Sequence, residues 1–497
     1  MKFPILFFCL FFSSLILAQK TFYKEKFRPQ FHFTPPIHWI NDPNGLVYHD
    51  GEYHLFFQFN PFGNIWGHMS WGHAISKDLV HWQHLPLALA EEKGVMIFSG
   101  GCVVDKNNTS EFAEKPGEVP MVAIYTGHKD GLNQSQYLAY SLDKGRTWKK
   151  YEKNPVLDLG LKDFRDPQVF WYQPHQKWVM AVALPIEKKI QLYSSGNLKE
   201  WKLMSSFGPV GDTTGIWECP DLFEVPVKDE PGKTKWVLMH SPIPYMQYFV
   251  GDFDGNIFKN ENPETKIYRP DYGPDYYAAI VYKNLPQKSP PVSIGWINNW
   301  NYANDIPTTP WKSAMSIPRK LSLTKANNEW LLLQEPVDSL YSLRSTRIAQ
   351  IKNTIIENSN PLPVKTQQCE MLISFEPANG ATFGVRLAAG NGHEAEIGYN
   401  TLSQTLFIDR SKTANRSFSK NYEALSRYER KINLKNNRLQ LQIFFDKSII
   451  EVFANNGEAV MTMQIFPDEI DSGIEIFSIN GKCRIREMNL WTLESAW

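Results

Sequence analysis

Two short elements recur along the first two thirds of this chain, and together they restrict its fold more than any other feature. The first is a serine, a polar turn and a tryptophan six or seven residues on. It runs Ser76 to Trp82, Ser141 to Trp148 and Ser195 to Trp201. The second is an acid with a neighbouring proline that opens a hairpin: Asp42-Pro43, Asp166-Pro167 and Glu218-Cys219-Pro220. Each is followed by an apolar, aromatic-rich run, a turn, and a second such run, as in Leu46–Tyr48 and Tyr53–Phe57. Period-two runs between Gly, Pro, Asn and Asp read as strands, and helical periodicity is scarce. A β-rich unit returning at a spacing of roughly 40–60 residues predicts propeller blades. Residues 24–335 hold five of them. Equivalent positions in blades face one channel, so the repeat predicts that Asp42, Asp166 and Glu218 converge.

After Glu335-Pro336 the texture changes. Leu439, Leu441, Ile443 and Phe445 alternate with other residues. Ile449–Ala454 and Ala459–Ile465 flank Asn455-Asn456-Gly457, a hairpin turn. Residues 345–497 therefore read as an antiparallel β-sandwich. The expected fold class is all-β, a five-bladed β-propeller followed by a C-terminal β-sandwich.

The N-terminus carries Lys2, then a short apolar run ending at Ala18, which reads as a signal peptide over residues 1–18. No later stretch is long and apolar enough to span a bilayer. The expected location is secreted or periplasmic. Cys9 leaves with the signal. Cys102, Cys219, Cys369 and Cys483 show no CxxC spacing, so they read as buried thiols, neither a disulfide scaffold nor a zinc site.

Formal net charge is zero, with 52 basic and 52 acidic residues and no long basic run, which excludes a nucleic-acid footprint. The chain is 14% aromatic, with 16 Trp and 21 Tyr, and aromatic faces suit both sugar rings and cores. His68, His73, His81 and His84 cluster in sequence but match no metal-ligand spacing, and no Gly-rich loop opens a helix. No metal and no cofactor is expected. Asn107-Asn108-Thr109-Ser110 is a glycosylation acceptor only in a eukaryotic secretory path.

Two carboxyl groups facing one cavity are the usual equipment for cleaving a glycosidic bond: one attacks the anomeric carbon, the other protonates the leaving oxygen. Asp42 lies beside Asn41 and Asn44, which can donate to an ionised nucleophile. Glu218 lies beside Trp217 and Cys219, which hydrate an acid poorly. Taken singly, each acid has an ordinary reading: Asp42 as a turn residue, Arg165-Asp166 as a surface pair, Glu218 as a buried acid held by backbone donors. The matching hairpin contexts weigh against all three.

These stretches also resemble glycoside hydrolase family 32, the invertase, levanase and inulinase family. The likeness rests on Trp39–Gly45, Phe98–Gly100, Phe164–Pro167, Trp217–Asp221, Asp271–Ala278, Pro310–Arg319 and Ile450–Phe453. It covers nearly the whole mature chain and is most like bacterial exo-levanases and fructan β-fructosidases. The resemblance implies Asp42 as nucleophile, Glu218 as acid/base and Asp166 as transition-state stabiliser. It implies substrate binding by Trp39, Ile40, Asn41, Gln58, Trp66, Phe98, Ser99, Arg165, Tyr277 and Trp300. It implies retaining hydrolysis of β-fructofuranosidic bonds in levan, inulin or sucrose, with the Asp42 and Glu218 carboxyls about 5–5.5 Å apart. Two departures, Gly101 and the segment Ser241–Met246, are expected at the pocket rim.

Alternatives are a fructosyltransferase on the same fold, a non-catalytic carbohydrate-binding propeller, and an inverting arabinanase-like enzyme, which the Asp42 motif disfavours. The sandwich is expected to cover the propeller's side. Extension of the substrate groove and a homodimer through that domain stay open.

Overall fold

The structure, a computed structural model, describes residues 22–497. The expected signal segment, residues 1–18, lies outside the described residues.

Five antiparallel sheets account for residues 38–336. The first blade has strands His38–His49, Glu52–Phe59, Ser70–Ser76 and Trp82–Leu89. The next three open with Val95–Val104, Arg165–Tyr172 and Trp217–Pro226, and the fifth with Tyr277–Val281. These five opening strands touch one another in a closed ring around the channel. The ring is sealed where the short strand Trp311–Lys312 pairs parallel with His38 and Trp39. The chain is thus an all-β, five-bladed β-propeller followed by a β-sandwich.

The recurring Ser-to-Trp element is the turn into the fourth strand of three blades. In each, a serine hydroxyl bonds an Asp or Asn two residues on, 3.0 Å for Ser76 to Asp78 and 2.7 Å for Ser141 to Asp143. That side chain then accepts the following backbone N–H groups, as Asn197 does from Lys199 and Glu200.

A second regularity sits at the channel. On every opening strand, three residue steps are matched by two on its neighbour. The intervals are Ile40–Pro43, Ile97–Gly100, Arg165–Gln168, Glu218–Asp221 and Tyr277–Ile280. Each is a β-bulge, which interrupts pairing and re-aims side chains. Asp166, Cys219 and Ala278, each the first of the two residues that oppose one in its bulge, adopt positive φ angles of 67°, 48° and 52°.

The sandwich is one ten-stranded hydrogen-bonded network folded into two layers. Its long strand Gly473–Leu493 pairs with Gln368–Pro377 through residues 483–492 and with Thr382–Gly390 through residues 473–479, passing from one layer to the other. Apolar side chains alternate inward along Leu439–Asp446, as the sequence pattern demands. Asn455, Asn456 and Gly457 all have positive φ and turn the next hairpin. Cys102, Cys219, Cys369 and Cys483 are buried and free.

Buried ion pairs join the two units. Arg319 of the fifth blade bonds Glu451 of the sandwich at 2.5 Å and Asp271 at 3.0 Å. His32, on the segment leading into the propeller, lies between Asp446 (2.8 Å) and Glu451 (3.0 Å). Burial alone would lower the His32 pKa, but bonds to these two carboxylates raise it to about 9.

Candidate active site

Residues at four of the bulges, with Trp300 of the fifth blade, line a cavity of about 360 Å³ at the channel. Asn41, Asp42, Gln58, Trp66, Phe98, Ser99, Arg165, Asp166, Glu218 and Trp300 line it. Asp42, Asp166 and Glu218 arrive from three different blades, so the structure brings the three sequence-selected acids together.

They do so from non-equivalent positions, which corrects the simple repeat argument. Of the two residues that oppose one across each bulge, Asp42 is the second in its own and Asp166 the first in its own. Glu218 is the paired residue before its bulge. The bulge lets side chains of neighbouring index face the same space.

Asp42 accepts hydrogen bonds from the Ser99 hydroxyl (2.6 Å) and the Asn41 amide (3.0 Å). Asn41 is oriented in turn by the indole N–H of Trp39, 2.8 Å from its carbonyl oxygen. Asn44 plays no such part: its oxygen accepts from the Gly100 backbone at 3.2 Å. Burial pushes the Asp42 pKa up, Ser99 pulls it down, the Glu218 charge raises it and Asn41 lowers it, with a net rise.

The expected apolar setting of Glu218 is wrong. Arg165 donates twice to its Oε1, at 3.0 and 2.9 Å, and the Tyr277 hydroxyl donates to Oε2 at 2.6 Å. Successive strand residues point to opposite faces, so Trp217 is turned away and its indole N–H bonds the Asp212 carbonyl. Cys219 faces the other two acids instead. Its backbone N–H bonds Asp166 at 2.9 Å, and its sulfur lies 3.5 Å from Asp42 and 3.6 Å from Asp166. Burial first, then the charges of Glu218 and Asp42, raise the Asp166 pKa to about 7 against the opposing pull of Arg165. Arg165 is shared further with Asp163 (2.6 Å) and Gln134 (3.0 Å). One guanidinium thus faces a surplus of carboxyl groups, and its pull on Asp166 is outweighed by burial and the neighbouring charges.

Gln58 and Trp300 line the wall, and their Nε2 and Nε1 donors are buried with no hydrogen-bond partner among the described residues. Trp66 and Phe98 form an apolar edge with ring centroids 6.0 Å apart.

Three expected binding residues do not reach the cavity. Ile40 is wholly buried in a core with Phe31 and Phe57. Trp39 is wholly buried behind Asn41 and stacks near Trp296 and Trp300. Tyr277 is buried and acts on Glu218. Gly101 is not at the rim either: a Cβ there would lie 2.8 Å from Gln168 of the next blade. From the second rim segment, Ile243 lines the cavity. Met69, His128, Gln134 and Asp163 also line it and were not anticipated. Of these only Asp163, two residues from Asp166, carried a signal in its position. The four clustered histidines separate: His68 meets Glu91, His73 meets His54, His81 meets Asp78 and His84 meets Tyr23.

The described residues contain no helix long and apolar enough to cross a membrane. Residues 32–336 match the N-terminal domain of glycosyl hydrolases family 32, and residues 339–492 match the C-terminal domain of that family. The levanase of Bacillus subtilis (strain 168) is 44% identical over 495 residues, 97% of this chain and 72% of that protein. Invertase 2 of Saccharomyces cerevisiae is 34% identical, with 91% of each chain covered. The crystal structure of exo-inulinase from Aspergillus awamori superposes with a TM-score of 0.91 at 37% identity, covering 96% of this chain and 100% of that one.

Proposed function

The chain belongs to glycosyl hydrolases family 32, and from that membership we propose retaining hydrolysis of β-fructofuranosidic bonds, with exo-release of fructose from levan- or inulin-type fructans and from sucrose. Its relatives support hydrolysis of fructans and sucrose; the finer claims rest on the site. The observation that carries the reading is the meeting of Asp42, Asp166 and Glu218 in one cavity, with Arg165 bound to Glu218.

Asp42 attacks the anomeric carbon, held in place by Ser99 and Asn41. Glu218 protonates the departing oxygen, then takes a proton from the water that releases the sugar. Arg165 and Tyr277 fix the Glu218 carboxyl from two sides. Asp166 binds fructose hydroxyls and stabilises the transition state. Asn41, Gln58, Trp66, Phe98, Ser99, Arg165 and Trp300 form the sugar subsite, with Trp39 and Tyr277 acting from behind it. A cavity of about 360 Å³ is at the small end of ligand pockets and suits a chain end better than an open groove.

The short helical turn Asp338–Leu343 supports a division into 24–335 and 345–497. The run ending at Ala18 supports export to a secreted or periplasmic location. Exposed Ile355, Leu402 and Ile479 on the sandwich are what would support a homodimer, which sedimentation reads. All three acids at the channel disfavour a non-catalytic propeller.

Incubation with levan, inulin and sucrose separately is the direct test. Fructose as sole product is the expected result. Oligosaccharides would refute exo action, lengthened products would favour a transferase, and no cleavage of any of the three would sink the reading.

A further inference from the structure

The fifth blade adjoins the blade that carries Asp42 and gives Trp300 to the wall of the site, and its placement depends on the sandwich. Trp300 lies on the segment 298–306, between strands Val292–Ile297 and Trp311–Lys312, and Tyr277 opens the blade. Two residues before Tyr277 stands Asp275; two residues after Trp300 stands Tyr302. Both are buried, at 0% and 1% exposure. Tyr302 donates its hydroxyl to Asp275.

Arg410, from the sandwich strand Thr405–Lys412, holds this pair together. It donates to Asp275 Oδ2 at 2.7 Å and to the Tyr302 hydroxyl at 2.9 Å. It is wholly buried, bonds the Gln464 and Leu425 carbonyls at 3.0 and 2.8 Å, and stacks 3.8 Å from the Tyr422 ring. The sandwich adds a second hold through Asn421, whose amide bonds the Asn301 carbonyl at 2.8 Å.

We infer that Arg410 is a positioning residue for the reaction: by clamping Asp275 and Tyr302 it sets Tyr277 against Glu218 and Trp300 against the sugar. The physical ground is that a planar guanidinium with two charge-assisted bonds defines orientation, which a single ammonium does not. Displacing a site group by about 1 Å costs on the order of a hundredfold in rate. The inference rests on the glycosidase reading, and it gives the sandwich a part in catalysis beyond covering the propeller.

Arg319 supplies the comparison. It makes an equally buried pair across the same boundary, and neither arginine's partners line the cavity. Asp275 and Tyr302 each stand two residues from a site residue, whereas Asp271 stands six residues before Tyr277 and Arg319 approaches the site through the ring of Tyr276, 4.1 Å away. The test compares Arg410→Lys, Tyr302→Phe and Arg319→Lys in the full chain, at a temperature where circular dichroism shows each folded. For the first two we expect kcat to fall about tenfold and KM for sucrose to rise severalfold; for Arg319→Lys both stay within about twofold. A variant that merely lost part of its folded population would show lower kcat with unchanged KM. Hydrogen exchange of segment 298–306 should quicken in Arg410→Lys and Tyr302→Phe and not in Arg319→Lys, a readout independent of turnover. Should Arg410→Lys fail to fold, Tyr302→Phe, which keeps the Arg410–Asp275 pair, carries the test. Unchanged exchange and KM in Tyr302→Phe, or equal effects of Arg319→Lys, overturn the inference. Failure of the wild-type chain to cleave any fructoside, with the exchange pattern as expected, would refute the glycosidase reading and leave the clamp standing.

Discussion

Two groups of buried carboxylates lie in this molecule, and they are solvated by the protein in opposite ways. At the domain boundary, Asp271, Asp275, Asp446 and Glu451 are met by Arg319, Arg410 and His32. At the channel, buried Asp42 and Asp166 lie with the half-buried Glu218 around one guanidinium, which bonds Glu218 and Asp163 and reaches Asp166 only through its charge. The titration behaviour follows. Burial would raise Glu451, but Arg319 and His32 hold it below the usual carboxylate range. Asp166 is instead driven up to about 7, and Asp42 is raised. Asp271 is the exception at the boundary, where burial outweighs Arg319. The comparison teaches that burial alone does not mark a functional acid. What marks it is burial without matching countercharge, in a cavity a ligand can enter.

The largest effects should come from the channel. Asp42→Asn or Glu218→Gln should lower kcat by about a thousandfold or more, with the fold retained by circular dichroism. Wild-type rates in either would remove that acid from the mechanism. At the boundary, Glu451→Gln should instead cost about 3–5 kcal/mol in denaturant unfolding, because Arg319 and His32 lose their shared counter-ion, while kcat/KM of the folded enzyme holds. A kinetic loss without a stability loss would erase the contrast.

Asp166→Asn should sharpen it from the other side. The folded-state pKa of Asp166 exceeds its unfolded value, so ionising it costs stability as pH rises from about 4 to about 7. The substitution should therefore stabilise the protein by about 1–2 kcal/mol at pH 8 and by less at pH 5, while activity falls. Equal melting temperatures at both pH values would contradict this.

The smallest effect concerns His32. Its folded pKa is raised to about 9, so its contribution is complete below about 6.5 and fades as pH rises through about 9. Melting temperature should drop between pH 7 and pH 10, and His32→Gln should flatten that drop.

Much of the propeller was legible because local chemistry recurs from blade to blade: an Asx turn and a tryptophan in three blades, an acid opening a hairpin in three. The sandwich was legible where strands alternate, as along Leu439–Phe445. Long-range pairing was not. Arg319 and Glu451, or His32 and Asp446, lie far apart in the chain, and nothing local in either announces the other. The setting of Glu218 was misread because its sequence neighbours point away, while Arg165 and Tyr277 come from other blades. Ile40 was assigned to the sugar by its place in a motif, although its side chain faces the core.

The extra residue on each opening strand makes those five positions behave like a reading frame. Ahead of it, a one-residue deletion between Arg165 and Gln168, or between Glu218 and Asp221, would not merely shorten a strand. It would restore regular pairing and bring the next letter to the channel, leaving the hairpin beyond it intact. Length changes that the outer turns of a blade absorb would, at the four bulges that line the cavity, rewrite its wall one residue at a time.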